Sequence, residues 1–222
     1  FAGYTVLGVL RILRILSLDG GGYLGLATAA FIEESERHFG KPFHERFDLF
    51  CGTSTGAIIA LALATGLSGQ RIRQIYEDFG PKVFRNGFPL IREIRWLCGL
   101  FISRYGNGPL RKALDEAFGE TTLGDILNKD KRVLVAAYSI TSGRPRIFKT
   151  DHGPELTRDS RYRISDIALA SSAAPVYLPL VELADPTTGN KELYCDGGVF
   201  ANHPALMGYA EAVHHCKAPA DT

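Results

Sequence analysis

The pentapeptide GTSTG at residues 52–56 constrains the fold more than any other segment, because it joins a strand pattern to a helix pattern. Residues 47–51 (FDLFC) are typical of a buried strand, and residues 57–65 form a very apolar helix. A serine between Gly52 and Gly56 in such a turn is typical of a nucleophile elbow, which exposes the hydroxyl near the helix N-terminus. The alternative is an ordinary turn in which Ser54 only caps the helix. The flanking strand and helix favour the elbow, so Ser54 is a candidate nucleophile.

The rest of the chain continues the same alternation of strands and helices. Further strands are predicted at 14–18, 132–140, 145–150 and 192–195, and further helices at 24–39, 69–79, 164–174 and 204–213. This order predicts an α/β fold, with a mainly parallel sheet covered by helices on both faces. The 222 residues suffice for one domain, and 45% apolar with 22% charged residues excludes a disordered or fibrous chain. Because ligands bind at the carboxyl ends of such strands, we expect the glycine-rich turns that follow strands to gather at one edge.

A second glycine-rich turn, DGGGYLG at residues 19–25, follows the first predicted strand and opens a helix. The N–H groups of Gly20, Gly21 and Gly22 can point at one place and form an anion cradle, which would serve acyl transfer as an oxyanion hole. Gly20, Gly22 and Gly25 also match G-x-G-x-x-G, so a non-catalytic nucleotide-binding module is an alternative function. That alternative leaves the serine turn unexplained. A third interpretation is a turn that only permits close helix packing.

The third glycine-rich turn is Asp196 followed by Gly197 and Gly198, at the end of the predicted strand 192–195. A carboxylate near a serine hydroxyl can accept its proton if a dry site raises the carboxyl pKa. Asp19 is the rival carboxylate, although we expect it to bond backbone N–H groups of its own turn. Sequence spacing alone does not choose between the two.

Histidine is the usual base for a serine nucleophile, so a Ser–His–Asp esterase is a second alternative. Of the six histidines, only His152 and His203 are plausible partners of Ser54, and neither lies in a distinctive sequence context. This alternative predicts that replacing one of them abolishes activity. A Ser–Asp pair predicts little loss.

Four motifs in this order, ILSLDGGGYLG, CGTSTGAIIALALATG, ASSAAPVYLPL and YCDGG, resemble the patatin-like phospholipase family over about residues 13–200. The resemblance implies a three-layer α/β/α hydrolase that cleaves fatty-acyl esters of membrane lipids, as a phospholipase A or lipid esterase. It implies a Ser–Asp dyad that needs no metal or other cofactor. It makes Ser54 the nucleophile and Asp196 its base. The resemblance assigns the oxyanion hole to Gly20, Gly21 and Gly22. The glycines that support the turns of these motifs are Gly25, Gly52, Gly56, Gly197 and Gly198.

Leu24 departs from the family pattern, which often has Arg or Lys two positions after the glycine triplet. The exchange removes a positive charge near the cradle. It bears on how this loop is oriented and on its share in binding anionic head groups, but not on the dyad.

The charge of the chain is segregated into residues 81–112, whose net charge is +6 against −5 for the remainder. Apolar residues recur there at helical spacing, with arginines on the other side. We predict a basic amphipathic insertion or lid at about 81–112 that contacts an anionic membrane surface. The alternative is a helix that packs its apolar face on the core. The candidate contact residues are Phe88, Arg92, Arg95, Trp96 and Phe101.

Composition also limits the partners and the compartment. A net charge of +1 argues against a partner such as a nucleic acid duplex. Four widely spaced cysteines without C-x-x-C disfavour a disulfide framework or a zinc site and fit a reducing compartment. No apolar run approaches the length of a transmembrane helix. We expect a cytoplasmic protein, peripheral at the membrane when active, with a phospholipid or other acyl lipid as substrate.

The phrase LSLDGGGYLGL resembles a bacterial subgroup of phospholipase effectors that cyclic nucleotides activate in antiphage defence. The resemblance implies a cyclic-nucleotide activator as a further partner. We predict an N-terminal extension at 1–12 and a patatin-like domain at 13–222. Family members usually continue beyond the D-G-G strand, so we expect a domain that lacks its last helices.

Overall fold

A computed structural model of the chain describes residues 13–83, 106–153 and 158–216. Its central sheet contains strands β1 (Ile15–Leu18), β2 (Leu49–Thr53), β3 (Arg132–Ser139), β4 (Arg144–Lys149), β5 (Val181–Ala184) and β6 (Lys191–Asp196). The spatial order is β1-β2-β3-β6-β5, and β4 also pairs with β3. Strands β1, β2 and β3 pair in parallel, in agreement with the predicted mainly parallel sheet. Strands β4 and β6 run antiparallel to β3, and β5 runs antiparallel to β6.

Helices cover both faces of this sheet. They are α1 (Gly25–Phe39), α2 (Thr55–Ala64), α3 (Gly69–Val83), α4 (Gly108–Phe118), α5 (Leu123–Leu127), α6 (Ile164–Ser171), α7 (Gly198–Ala201) and α8 (Ala205–His214). On one face α2 and α6 contact the strands, and α1, α3 and α4 pack outside them. On the other face α8 lies across β1 and β2. The three-layer α/β/α arrangement predicted from the sequence is therefore present.

Helix α2 occupies the centre of the larger core, and all ten of its residues are buried. Its sequence, TGAIIALALA, is apolar around the whole circumference, so burial of one stripe would leave apolar surface in water. The sheet covers one side, and α1, α3 and α6 cover the others. The N-terminus of this fixed helix carries the serine turn.

A smaller core on the other face contains Leu49, Cys51 and Leu134. Helix α8 closes it and is attached to the sheet by its buried Glu211. The Glu211 carboxylate accepts a hydrogen bond from Lys149 Nζ at 2.8 Å and lies 2.9 Å from His152 Nε2.

All five predicted strands and all five predicted helices occur, with ends displaced by up to four residues. Sequence reasoning missed β5, α5 and α7, which have only four or five residues each, and the longer helix α4. Helix α4 begins at Gly108, inside the predicted insertion, and packs Leu110 and Leu114 into the core.

Candidate active site

The register of the sheet places the carboxyl ends of β2 and β6 next to each other. Strand β4 occupies one edge of β3, so β2 and β6 share the other edge. Thr53 at the end of β2 lies opposite Ala136, and Asp196 at the end of β6 lies opposite Ala137. The two strands run toward each other along β3. They therefore bring Ser54 and Asp196 together from positions 142 residues apart.

Ser54 occupies a sharp turn with φ 56° and ψ −124°. Positive φ is unfavourable for a residue with a Cβ, and strain of this kind costs about 1–3 kcal/mol. The flanking glycines are required by close backbone contacts. A Cβ on Gly52 would lie 2.5 Å from Ala57 Cα, and one on Gly56 would lie 2.2 Å from the carbonyl oxygen of Leu18. The geometry is that of the elbow predicted from GTSTG.

Ser171, the last residue of α6, holds the strained Ser54 backbone in place. Its Oγ accepts a hydrogen bond from the Ser54 N–H at 2.9 Å and donates one to the carbonyl of Ala136 at 2.6 Å. Sequence reasoning missed this role, although Ser171 lies within the motif ASSAAPVYLPL. The signal was the pair Ser171 and Ser172 directly after the apolar run IALA in this helix.

The Ser54 hydroxyl donates a hydrogen bond of 2.6 Å to Oδ2 of Asp196. The other carboxylate oxygen, Oδ1, accepts the N–H of Gly198 at 2.7 Å, which fixes the orientation of the group. Both side chains are buried. Burial raises the pKa of Asp196 above its ordinary value, although the hydrogen bonds from Ser54 and Gly198 oppose the shift. A carboxylate with a raised pKa is a stronger base, so this pair can transfer the serine proton.

The glycine turn lies directly against this pair. A Cβ on Gly20 would come within 3.2 Å of Ser54 Cβ and 2.5 Å of Asn202 Oδ1. The Gly20 N–H donates to the Asn202 carbonyl at 3.2 Å, and the Asn202 side-chain amide donates back to the Gly20 carbonyl at 3.3 Å. The Gly21 N–H donates to the Thr55 hydroxyl at 3.2 Å. Two of the three N–H groups expected in an oxyanion hole therefore already have protein acceptors, and the role of Gly20, Gly21 and Gly22 stays a prediction.

Asp19 pairs with a histidine rather than with the backbone of its own turn, so our expectation for Asp19 is wrong. Its Oδ2 lies 2.6 Å from His203 Nδ1, because the Gly20–Asn202 contacts bring the start of α8 beside the turn. The His203 side chain is 77% exposed. This histidine is held next to the glycine turn and not against the serine.

His152 is 1% exposed and lies between Thr150 Oγ1, at 2.8 Å from Nδ1, and Glu211. Among the described residues, the Ser54 hydroxyl bonds to Asp196 and to neither candidate histidine. The Ser–His–Asp alternative therefore lacks its histidine.

Gly25, which closes the G-x-G-x-x-G pattern, has a packing role in this fold. A Cβ on Gly25 would lie 2.8 Å from the Tyr76 ring, so this glycine permits α1 and α3 to pack closely. Gly197 and Gly198 begin the short helix α7 that turns the chain away from Asp196.

Two predicted features lie outside the described residues. They are the extension at 1–12 and the lid candidates Phe88, Arg92, Arg95, Trp96 and Phe101.

A sheet with helices on both faces and a serine elbow at the end of a central strand define the class of three-layer α/β hydrolases. Within this class, the family profile described as Patatin-like phospholipase matches residues 16–209. The chain belongs to the patatin-like phospholipase family, as the four sequence motifs indicated.

Curated relatives agree with this assignment. A cGAMP-activated phospholipase of Pseudomonas aeruginosa is 37% identical over 200 residues, which cover 89% of this chain and 56% of the relative. A cUMP-AMP-activated phospholipase of Escherichia coli is 33% identical over 208 residues, covering 91% and 59% respectively. Patatin-like protein 4 of Arabidopsis thaliana is 29% identical over 210 residues, covering 89% and 51%. The chain thus spans a little over half the length of these relatives.

Within the described residues, no helix combines the length and the apolar character needed to cross a bilayer.

Proposed function

We propose that the chain is a lipid acyl hydrolase that cleaves fatty-acyl esters of phospholipids through a Ser54–Asp196 dyad. The observation that carries the proposal is the 2.6 Å hydrogen bond from the Ser54 hydroxyl to a buried carboxylate whose pKa is raised. Membership of the patatin-like phospholipase family supports the acyl-lipid substrate class.

The first half of the reaction acylates the serine. Asp196 accepts the proton of Ser54 Oγ as that oxygen bonds to the ester carbonyl carbon. The resulting tetrahedral oxyanion needs N–H donors, and Gly21 and Gly22 can supply them once the Gly21 N–H leaves Thr55. Loss of one such donor typically costs about 10²–10³ in rate. When the ester C–O bond breaks, the leaving alkoxide takes the proton from Asp196 and departs as a lysolipid.

The second half releases the fatty acid. A water molecule gives a proton to Asp196 while its oxygen attacks the acyl carbon on Ser54. The bond between the acyl carbon and Ser54 Oγ then breaks, and Oγ recovers the proton from Asp196. The net reaction adds one water to one ester.

The proposal includes regulation and location. The relatives named as cGAMP-activated and cUMP-AMP-activated phospholipases support a cyclic-dinucleotide activator for this chain. An effector that degrades membranes in antiphage defence would act in the cytoplasm and peripherally at the bilayer. We assign residues 13–222 to the catalytic domain and residues 81–112 to a basic insertion within it.

Fatty-acid release tests the proposal directly. We expect the chain to release fatty acid and lysolipid in equal amounts from mixed phospholipid vesicles, measured by mass spectrometry with and without cGAMP or cUMP-AMP. Ser54→Ala abolishes release, whereas Ser172→Ala, a change at a buried serine beside the elbow contacts, keeps it. Absence of fatty acid under all three conditions, from a folded chain, would contradict the proposal.

A further inference from the structure

Exposed apolar side chains lie on three separate segments, each of which also contacts the buried serine or aspartate. Leu24 ends the glycine turn and is 75% exposed. Val176 (56%) and Tyr177 (51%) follow α6, and Val199 (51%) and Phe200 follow the D-G-G motif. We call these five residues the apolar rim.

Each segment of the rim is fixed by a contact close to the dyad. Gly20, four residues before Leu24, lies against Ser54 Cβ. The carbonyl of Ala173, three residues before Val176, accepts the Asp196 N–H at 2.9 Å. Gly198, which precedes Val199, donates its N–H to Asp196 Oδ1 at 2.7 Å. The three segments therefore meet at the dyad, and every rim residue lies within four residues of one of these contacts along the chain.

The rim is also free of charge. Residues 20–25, 172–181 and 197–202 contain no Asp, Glu, Lys or Arg, in a chain where these types make up 22%. The ionisable residues that directly flank these segments are Asp19, Glu182, Asp196 and His203. Asp196 is buried, and Asp19 Oδ2 lies 2.6 Å from His203 Nδ1. A surface of this composition has no charged side chains to form ion pairs with a charged partner. Its exposed apolar side chains are suited to contact with the hydrocarbon region of a lipid layer.

Val176 adds an independent observation. It has φ 71°, a conformation that is strained for a β-branched residue. The strained backbone exposes the apolar Val176 side chain to solvent. The isolated chain therefore gains no free energy of burial that would offset the strain. Such strain persists where the surrounding structure enforces it, and it concentrates at functional sites.

We propose that the apolar rim is an interfacial docking surface that inserts into the acyl region of a phospholipid bilayer and places the serine over an ester. This inference rests on the proposed function, since it names how the same site meets its substrate. Docking through the rim needs no anionic lipid and resists salt, because apolar contacts are not screened. The basic segment 81–112 would instead require anionic lipid and weaken in salt.

Vesicle partitioning tests the rim without catalysis. The Ser54→Ala chain is sedimented with pure phosphatidylcholine vesicles at low and high salt, and Leu24→Ser and Val199→Ser are added singly. We expect binding that changes little with salt and falls about five- to tenfold for each substitution. The matched control is Phe39→Ser, an exposed apolar position at the other end of α1, about 21 Å from Gly25. It leaves binding unchanged.

A second readout separates this inference from the proposed function. With Ser54 present, Leu24→Ser lowers hydrolysis of vesicle lipid more than hydrolysis of a water-soluble short-chain ester. Any of three results would contradict docking through the rim: unchanged binding in both rim variants, no binding to phosphatidylcholine vesicles, or loss of binding in high salt. Absence of hydrolysis with either substrate would refute the proposed function instead, while the partition measurement still decides the rim.

Discussion

Ser171→Ala is the most informative structural perturbation, because one hydroxyl supports both the strained elbow and the central strand. Its removal leaves the buried Ser54 N–H without an acceptor and takes one donor from the Ala136 carbonyl. Leaving a buried polar group unsatisfied costs about 1–3 kcal/mol. With two groups affected unequally, we expect a loss of about 2–4 kcal/mol in the free energy of unfolding. For a chain of this length, that corresponds to a fall in Tm of roughly 5–15 °C.

Urea unfolding and probe labelling measure the two consequences of Ser171→Ala. Equilibrium unfolding gives the stability, and the rate at which a fluorophosphonate labels Ser54 reports whether the elbow keeps its shape. The matched control is Ser172→Ala. Ser172 is also buried, but its hydroxyl has no hydrogen-bond partner among the described residues. We expect this control to lie within about 1 kcal/mol of the wild type.

Equal urea midpoints and equal labelling rates for the two serine variants would contradict the role assigned to Ser171. That result would mean that Ser54 keeps its backbone conformation without the Ser171 acceptor. A loss of labelling without a loss of stability would also contradict the account, because both follow from the same pair of hydrogen bonds.

Three further predictions follow from the polar groups and the elbow. The pKa of Asp196 is raised in the folded chain, so the free energy of unfolding decreases as the pH rises through that pKa and Asp196 ionises. At neutral pH, Asp196→Asn should therefore unfold at a higher urea concentration than the wild type, while hydrolysis is lost. Burial opposes ionisation of Glu211, but hydrogen bonds from His152 and Lys149 outweigh it and lower the Glu211 pKa. Stability should therefore fall as the pH drops below the ordinary range of Glu, and Glu211→Gln should flatten that acid limb in thermal melts. Gly56→Ala would force a Cβ to within 2.2 Å of a β1 carbonyl and should destabilise the fold by more than about 2 kcal/mol in urea unfolding.

The sequence predicted the parts of the site that local patterns specify. The change from strand to helix periodicity around GTSTG located the elbow, and the glycines at 52 and 56 are explained by backbone contacts. The D-G-G turn likewise supplied Asp196 as a candidate base, while the choice of Asp196 over Asp19 came from the family resemblance. These features are encoded within a few neighbouring residues, so reading one segment at a time suffices.

Contacts between distant segments were not predictable in the same way. Local pattern does not fix strand direction, so it did not indicate that β6 runs antiparallel to β3 and meets β2 end to end. The same limit hid the Ser171 hydrogen bonds, the Asn202 contacts with Gly20 and the pairing of Asp19 with His203. Strand β5 was missed because four residues carry too little periodicity to stand out.

Covalent labelling of the serine tests the central claim of a Ser54–Asp196 dyad most directly. The chain, Ser54→Ala, Asp196→Asn and His203→Ala are treated with a fluorophosphonate and their intact masses are measured. The account predicts a single adduct that is absent in Ser54→Ala, lost or strongly slowed in Asp196→Asn, and retained in His203→Ala. An adduct that survives Asp196→Asn at the wild-type rate, or that requires His203, would contradict it.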